Sequence, residues 1–452
     1  MLQEIPRYVD QRLKHGDPGM GRVRLGLFAA GLATFALLYS TQPLLPMLAR
    51  TFRVDPATSS LAMSAATGAL AVAVIPVSSL SEVFGRRRVM VISVLAASVL
   101  GLAAPFSPAF WVLVAVRVLQ GFALAGVPAA AMAYLAEEVE AGSLGQAMGL
   151  YIAGNAIGGL SGRLAAGALA DSGGWRVATF GVGALSLLCA IVFVAVLPHS
   201  EFFTPVPFRV RVLISSLRVN LADTGLLRLF LIGFALMGAF VTVYNYLTFR
   251  LSGPPFRLSA TEIGSVFLVY LAGPASSAVA GRLSDRFGRF PVLVSGFLVT
   301  VCGVVLTLPA SVVLIVAGLV VLTAGFFAAH SVGSGWVGGR ARIAPAQASA
   351  LYLCAYYIGS SVAGSAGGVF YGRGGWSLTV VFVIALLAVG LAASGLIRSR
   401  TARRELRRPA LLRPGSIPIR NVQRHSLVVI TLPGVAGSGK RGALRPSTFS
   451  TG

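Results

Sequence analysis

An all-α membrane protein of twelve transmembrane helices, arranged as two six-helix pseudo-repeats, is the fold class this chain predicts. Three observations predict it: a lipid-soluble composition, apolar windows of spanning length, and phrases that recur in the same order in both halves. A soluble chain carries about a quarter of its residues charged, whereas here 11% are charged and 56% are hydrophobic, with a mean hydropathy of +0.82. In hydrocarbon the backbone must satisfy its own hydrogen bonds, so each crossing takes a helix of roughly 20 apolar residues.

The windows follow in order. Residues 25–47 come after a polar leader, 1–24, with no small-residue cleavage site, and read as a retained helix. FRVDPAT precedes 58–80; SEVFGRRR separates 58–80 from 89–105; RVLQG lies within 109–134. GQAMG opens 146–170, and GGW divides it from 177–197. Residues 199–227 are polar, with Pro205, Pro207, Arg209, Arg211 and Arg218, and read as a linker. Beyond it, 228–249 leads to FRLSAT, then 261–281, the loop SDRFGR, 291–309 and 311–334. AQASALY opens 347–371, and a second GGW precedes 376–397. Two six-helix bundles, 25–198 and 228–397, are thus expected around the linker, followed by a basic, disordered tail, 398–452.

A net charge of +23 would suggest nucleic acid, were the charges not sorted by loop. On one side of the predicted membrane lie 29 of the 37 Lys and Arg; six lie on the other, and two, Arg117 and Arg163, fall within spans. That asymmetry is the positive-inside pattern, which places both termini in the cytoplasm and makes a nucleic-acid partner unnecessary. Cys189, Cys302 and Cys354 all fall in spans and form no disulfide framework.

The repeat is legible in words. SEVFGRRRVM from Ser81 returns as SDRFGRFPVL from Ser284, GQAMGLYIAGNAIGG as AQASALYLCAYYIGS, and GGW at Trp175 as GGW at Trp376. Landmarks in fixed order imply duplication, and two such halves enclose a cavity that opens to either face by rocking.

GRLSDRFGR, Gly281 to Arg289, resembles the G-x-x-x-D-R-x-G-R loop of the Major Facilitator Superfamily, and its first-half copy carries Ser78, Glu82 and Val83 where that motif has Gly, Asp and Arg. RVLQG at Arg117 resembles the R-x-x-Q-G motif of helix 4, and GNAIGG at Gly154 the antiporter motif of helix 5, with Asn155 in place of proline. Stretches such as YSTQPLLP and FVTVYNYLTFRL are similar to a group of bacterial inner-membrane efflux permeases of the drug:proton antiporter type, over about residues 25–397. The resemblance implies that Glu82 and Asp285 meet a helix N-terminus of the other half and gate the cytoplasmic side, together with Gly85, Arg86, Arg87, Gly281, Arg286, Gly288 and Arg289. A carboxylate there is favourable by about 0.3–1 kcal/mol when exposed. Topology anchors and a tight turn would explain the glycines and arginines alone, but not a carboxylate at each copy.

An arginine centred in a span costs about 2.5–3.5 kcal/mol on insertion scales, so Arg117 must face protein or water. A structural arginine bonded to neighbouring carbonyls is the alternative to a functional one. Arg163 poses the same problem, and His330, within FFAAHSVGSGW, titrates near neutral pH; these three are the proton-coupling candidates, against a His that is simply buried and bonded. No Asp or Glu lies centrally in a span, which weakens the case for proton antiport. Helices 1, 4, 7 and 10, which line the cavity in the resembled family, offer Tyr39, Gln42, Arg117, Gln120, Tyr244, Asn245, Tyr246, His330 and Trp336, with Asn155, Tyr356 and Tyr357 adjoining. Aromatics with few polar handles suit a small amphipathic solute. Tyr39, Tyr244 and Tyr246 also fit an interfacial belt.

The tail phrase SLVVITLPGVAGSGKR imitates a phosphate loop, but Arg441 stands where Ser or Thr must hold magnesium, and too few residues follow for a nucleotide domain. The tail's first arginines are expected on anionic lipid. The sequence therefore predicts a monomeric secondary transporter in a bacterial inner membrane, exporting a small organic solute against protons. It predicts no enzyme, cofactor, metal or nucleotide. An uptake symporter, or a receptor or scaffold, is the alternative.

Overall fold

The computed structural model describes residues 12–14, 16–207 and 210–406. Residues 1–403 form one compact unit and 404–452 a second, of which only the end of a helix is described. Helices α1 (Pro18–Tyr39), α2 (Leu45–Phe52), α3 (Pro56–Phe84), α4 (Arg86–Ala103), α5 (Phe110–Leu124), α6 (Gly126–Glu138) and α7 (Ala141–Val196) make the first half. After α8 (Val210–Ala222), the second half comprises α9 (Thr224–Ser252), α10 (Ala260–Val266), α11 (Ala272–Phe287), α12 (Arg289–Leu306), α13 (Val312–Arg340) and α14 (Pro345–Leu406).

Ten helical stretches among the described residues are long and apolar enough to span, yet two of them, Ala141–Val196 and Pro345–Ile397, have 56 and 53 residues. At about 1.5 Å per residue each would run more than twice the ~30 Å of hydrocarbon. Both fold back. Gly174 (φ 73°) and Gly375 (φ 58°) take left-handed backbone that breaks the helix. The rings of Phe370 and Phe382 then lie 4.4 Å apart, where a straight helix would separate them by about 18 Å. The ten stretches therefore hold twelve crossings.

Duplication is written into the backbone as well as the words. Gly85 and Gly288, with φ of 98° and 87°, make the same turn between helices in the two halves. Arg53 and Arg257 share a left-handed φ of 54° and 52°. Two residues further on, Asp55 caps α3 and Ser259 caps α10.

Three expected spans are divided, the first of them between α1 and α2 by a 3-10 segment, Gln42–Leu44. The fourth breaks between α5 and α6, because Pro128 has no N–H to give to the Leu124 carbonyl, and the eighth passes through a 3-10 segment, Phe267–Leu271, ahead of Pro274. The expected linker contains α8, and α14 continues through Leu406, past the expected start of the tail at 398. The phosphate-loop-like phrase lies outside the described residues.

Glycines set the closeness of the core. A Cβ on Gly154 would stand 2.6 Å from the Phe28 carbonyl, and one on Gly158 2.4 Å from the Leu32 carbonyl, so α7 touches α1 backbone to backbone. The second half repeats this: a Cβ on Gly359 would stand 2.2 Å from the Phe234 carbonyl of α9.

Candidate functional site

The two halves meet toward the face bearing Gly174 and Gly375, opposite the face where the chain enters α1. There Asp171 of α7 accepts hydrogen bonds from the backbone N–H groups of Ala260 (2.9 Å) and Thr261 (2.8 Å) at the start of α10. Ser361 donates to the Ser64 carbonyl at 2.8 Å. Deeper in, Arg163 donates through Nε to Gln42 (2.8 Å), through Nη1 to the Gly159 carbonyl (2.6 Å) and through Nη2 to the Tyr270 hydroxyl (3.3 Å). Gln42 in turn donates to Asn245 at 2.8 Å.

The guanidinium of Arg163 is caged. Its central carbon lies 4.3 Å from the ring centre of Tyr39, 4.9 Å from Phe267 and 4.6 Å from Tyr270, so rings of both halves present their negative faces to one cation. From the cage an aromatic chain runs into the second half: Tyr270 to Phe240 at 5.3 Å, Phe240 stacked on Phe326 at 3.9 Å, and Phe326 parallel to the His330 ring at 5.8 Å. Nδ1 of His330 is 3.0 Å from the Tyr352 hydroxyl, and Tyr356 lies 4.7 Å from the imidazole and 5.2 Å from Tyr357. The cluster sets a cation at one end and an imidazole at the other, with Phe240 and Phe326 buried between them and Tyr270, His330 and Tyr356 half-buried.

Not every residue expected at the site reaches it. Arg117 donates to three carbonyls, Ala62 (2.8 Å), Leu37 (3.0 Å) and Leu38 (2.9 Å), and to Gln120, all within the first half. It ties α5 to α1 and α3, and Gln120 extends the tie to the Ala97 carbonyl of α4. Tyr246 donates to the Gly364 carbonyl at 2.7 Å and stacks on Tyr371 of its own half, and its hydroxyl also meets the Ser60 side chain of the first half, away from the cage. Tyr244 shares a 2.7 Å hydrogen bond with Thr323 and lies against Phe267, beside the cage. Asn155 stands on α7 against Gly31 of α1, and Trp336 is half-buried on α13.

The repeated loops lie at the face where α1 begins, each with its own half. Arg86 pairs with Glu137 (3.1 Å) and approaches Glu82 (3.9 Å), and Arg87 donates to the Leu197 and Val194 carbonyls. Gly281, Asp285, Arg286, Gly288 and Arg289 are exposed. On the same face Asp223 caps α9 and pairs with Arg340 at 2.8 Å. Burial alone would raise the Asp223 pKa, but hydrogen bonds from Arg340 and from the Gly225 and Leu226 amides, with the Arg340 charge, hold it below the ordinary carboxylate value.

Sequence reasoning missed Phe240, Phe267, Tyr270 and Phe326. They belong to unbroken apolar runs in which an aromatic is unremarkable; the one available signal was Tyr270, four residues before the helix-interrupting Pro274. Among the described residues no three His, Cys, Asp or Glu side chains gather as metal ligands.

The sequence profile described as Major Facilitator Superfamily matches residues 27–269 and 252–438. The chain is 47% identical over 382 residues to the inner membrane transport protein YnfM of Escherichia coli (strain K12), covering 84% of this chain and 92% of that one. It is 44% identical over 379 residues to the uncharacterized MFS-type transporter YybF of Bacillus subtilis (strain 168), covering 84% and 94%. Its structure is similar to that of a bacterial homolog of the human lysosomal transporter Spinster, in an inward-facing and unoccupied conformation, with a TM-score of 0.73, 16% identity, and coverage of 87% of this chain and all of that one. Profile, relatives, twelve crossings and doubled loops agree: the chain belongs to the Major Facilitator Superfamily and is a multi-pass membrane transporter of a small-molecule substrate.

Proposed function

We propose that the protein exports a small organic solute across a bacterial inner membrane by alternating access, as a monomer, in exchange for protons. The observation that carries the reading is the asymmetry between its faces. One face is shut by contacts between the halves, Gln42 to Asn245 and Asp171 to α10, while on the other face Arg86 and Arg87 bond within the first half and Asp285, Arg286 and Arg289 are exposed. The positive-inside charge pattern assigns that second face, with both termini and the linker, to the cytoplasm, and its arginines to anionic lipid. The conformation is then open to the cytoplasm, ready to load a solute for export. When the halves rock, Asp285 and Glu82 become the latch that closes the loading side.

The caged Arg163, Gln42, Asn245 and Tyr39, with the chain of rings leading to His330 and Tyr356, form the solute site. His330 is the group that takes the coupling proton; with its ring against Phe326 and Tyr356, gain of charge there alters the site directly. Arg117 serves this site by holding α5 against α1 and α3.

The test is flux in proteoliposomes loaded with a solute library under an imposed pH gradient. Solute movement opposite to proton movement, lost in His330→Gln, is the expected result. Movement in the same direction as protons would make the protein an uptake symporter, and flux blind to the gradient would remove proton coupling.

A further inference from the structure

Arg163 can only donate hydrogen bonds, and that fixes the orientation of every amide beyond it. Gln42 must present its oxygen to Arg163 Nε and therefore its NH2 to Asn245. Asn245 must accept with its own oxygen, which turns its NH2 away. That NH2 is wholly buried and has no hydrogen-bond partner among the described residues. It packs beside Gly364 together with Ser64 Oγ, also buried and without a hydrogen-bond partner among the described residues, so unpaired polar groups of both halves adjoin one glycine. Of the five N–H groups a guanidinium carries, Arg163 uses three, which leaves two. Its longest bond, 3.3 Å, goes to Tyr270, whose side chain is only half-buried. No ion pair reaches Arg163 among the described residues, and no span holds a central carboxylate.

Around Arg163 the interface is thus rich in unpaired donors and positively charged, and the carboxylate of Asp171 is already engaged by the Ala260 and Thr261 amides. A buried cation without a counter-ion is costly, and a ligand that supplies one is bound preferentially. A cationic solute would add like charge to a site of low dielectric. From this balance we infer that the transported solute is an organic anion, a carboxylate or its chemical equivalent on an apolar or aromatic body. Its charge replaces the Tyr270 hydroxyl on Arg163, and its body lies against the half-buried rings of Tyr270 and Phe327. The inference rests on the cage being the solute site. It also accounts for the missing carboxylate, because an anion leaving an inside-negative compartment moves down the electrical gradient and its export needs no acid in the spans.

Benzoate, benzamide and benzylamine carry one ring with negative, neutral and positive charge. Thermal shifts of the full-length protein in nanodiscs should show stabilisation by benzoate alone. Arg163→Gln should weaken that response at least tenfold and Arg163→Lys less. Asn245→Asp is the decisive variant: it keeps the oxygen that Gln42 needs but builds a carboxylate into the site, so the protein should melt no lower than wild type while the benzoate response disappears. Stabilisation by benzylamine or benzamide equal to that by benzoate, an undiminished response in Asn245→Asp, or no response to benzoate in wild type would each overturn the assignment. Transport of neutral solutes without benzoate binding would refute the anion and leave export standing; benzoate binding with no flux in proteoliposomes would do the reverse.

Discussion

Gln42 and Asn245 belong to different halves of the molecule, and a 2.8 Å hydrogen bond joins their buried amides across the boundary that must open during transport. It lies in the middle of a relay that starts at Arg163, so its strength bears on the balance between conformations as well as on stability.

Replacing Asn245 with Leu leaves the Gln42 NH2 buried without an acceptor, a loss of about 1–3 kcal/mol borne only by the closed face. The equilibrium should move toward the alternative conformation by about fivefold or more. Labelling of a cysteine introduced at Thr261, slow in the parent, should accelerate; unchanged labelling would mean that the contact does not hold the face shut.

Arg117 should behave as a strut. Each bond from a charged donor contributes about 1.5–3 kcal/mol, and Arg117→Ala orphans three carbonyls at once. The yield of folded protein should collapse, and whatever survives should keep the parental KM. A well-folded variant with a raised KM would instead place Arg117 in the solute site.

Gly158→Ala should cost roughly 1–3 kcal/mol, because its methyl would enter the Leu32 carbonyl at 2.4 Å and neither helix backbone can yield without separating α1 from α7. Melting temperature in detergent reads this directly. A melting temperature equal to that of the parent would show that the two helices are free to part.

Asp223 gives stability a pH signature. Its folded pKa lies below the unfolded value near 4, so the ionised form stabilises the fold above that value, and the gain is lost as the pH falls through the folded pKa. Asp223→Asn should therefore melt lower than the parent at pH 7, and the two curves should converge below about pH 4. A constant difference across that range would deny the carboxylate its role.

Asp285 is exposed in this conformation, so Asp285→Asn should leave thermal stability unchanged and slow transport, since its partner exists only when the cytoplasmic face is closed. Stopped-flow flux and melting, measured together, separate the two effects. Normal flux would reduce the loop to a topology anchor.

Much of the fold was legible because lipid simplifies the problem: length and hydropathy locate crossings, and the repeated words predicted turns that the backbone then made with matching φ at Gly85 and Gly288. Asn245, Gln42 and Arg163 were each visible as polar residues in apolar runs, yet nothing in the spacing joined them. Hydropathy also could not tell Arg163 from Arg117, since both are cations in a span.

What the chain's sequence determined by itself was the number of crossings, their doubling, and the side of the membrane on which its basic loops are expected, because these depend on local polarity and on order along the chain. The tertiary structure alone decided that Arg117 is spent on carbonyls within one half while Arg163 sits caged between two. A guanidinium's role depends on which acceptors surround it, and helices distant in sequence supply them only once they pack.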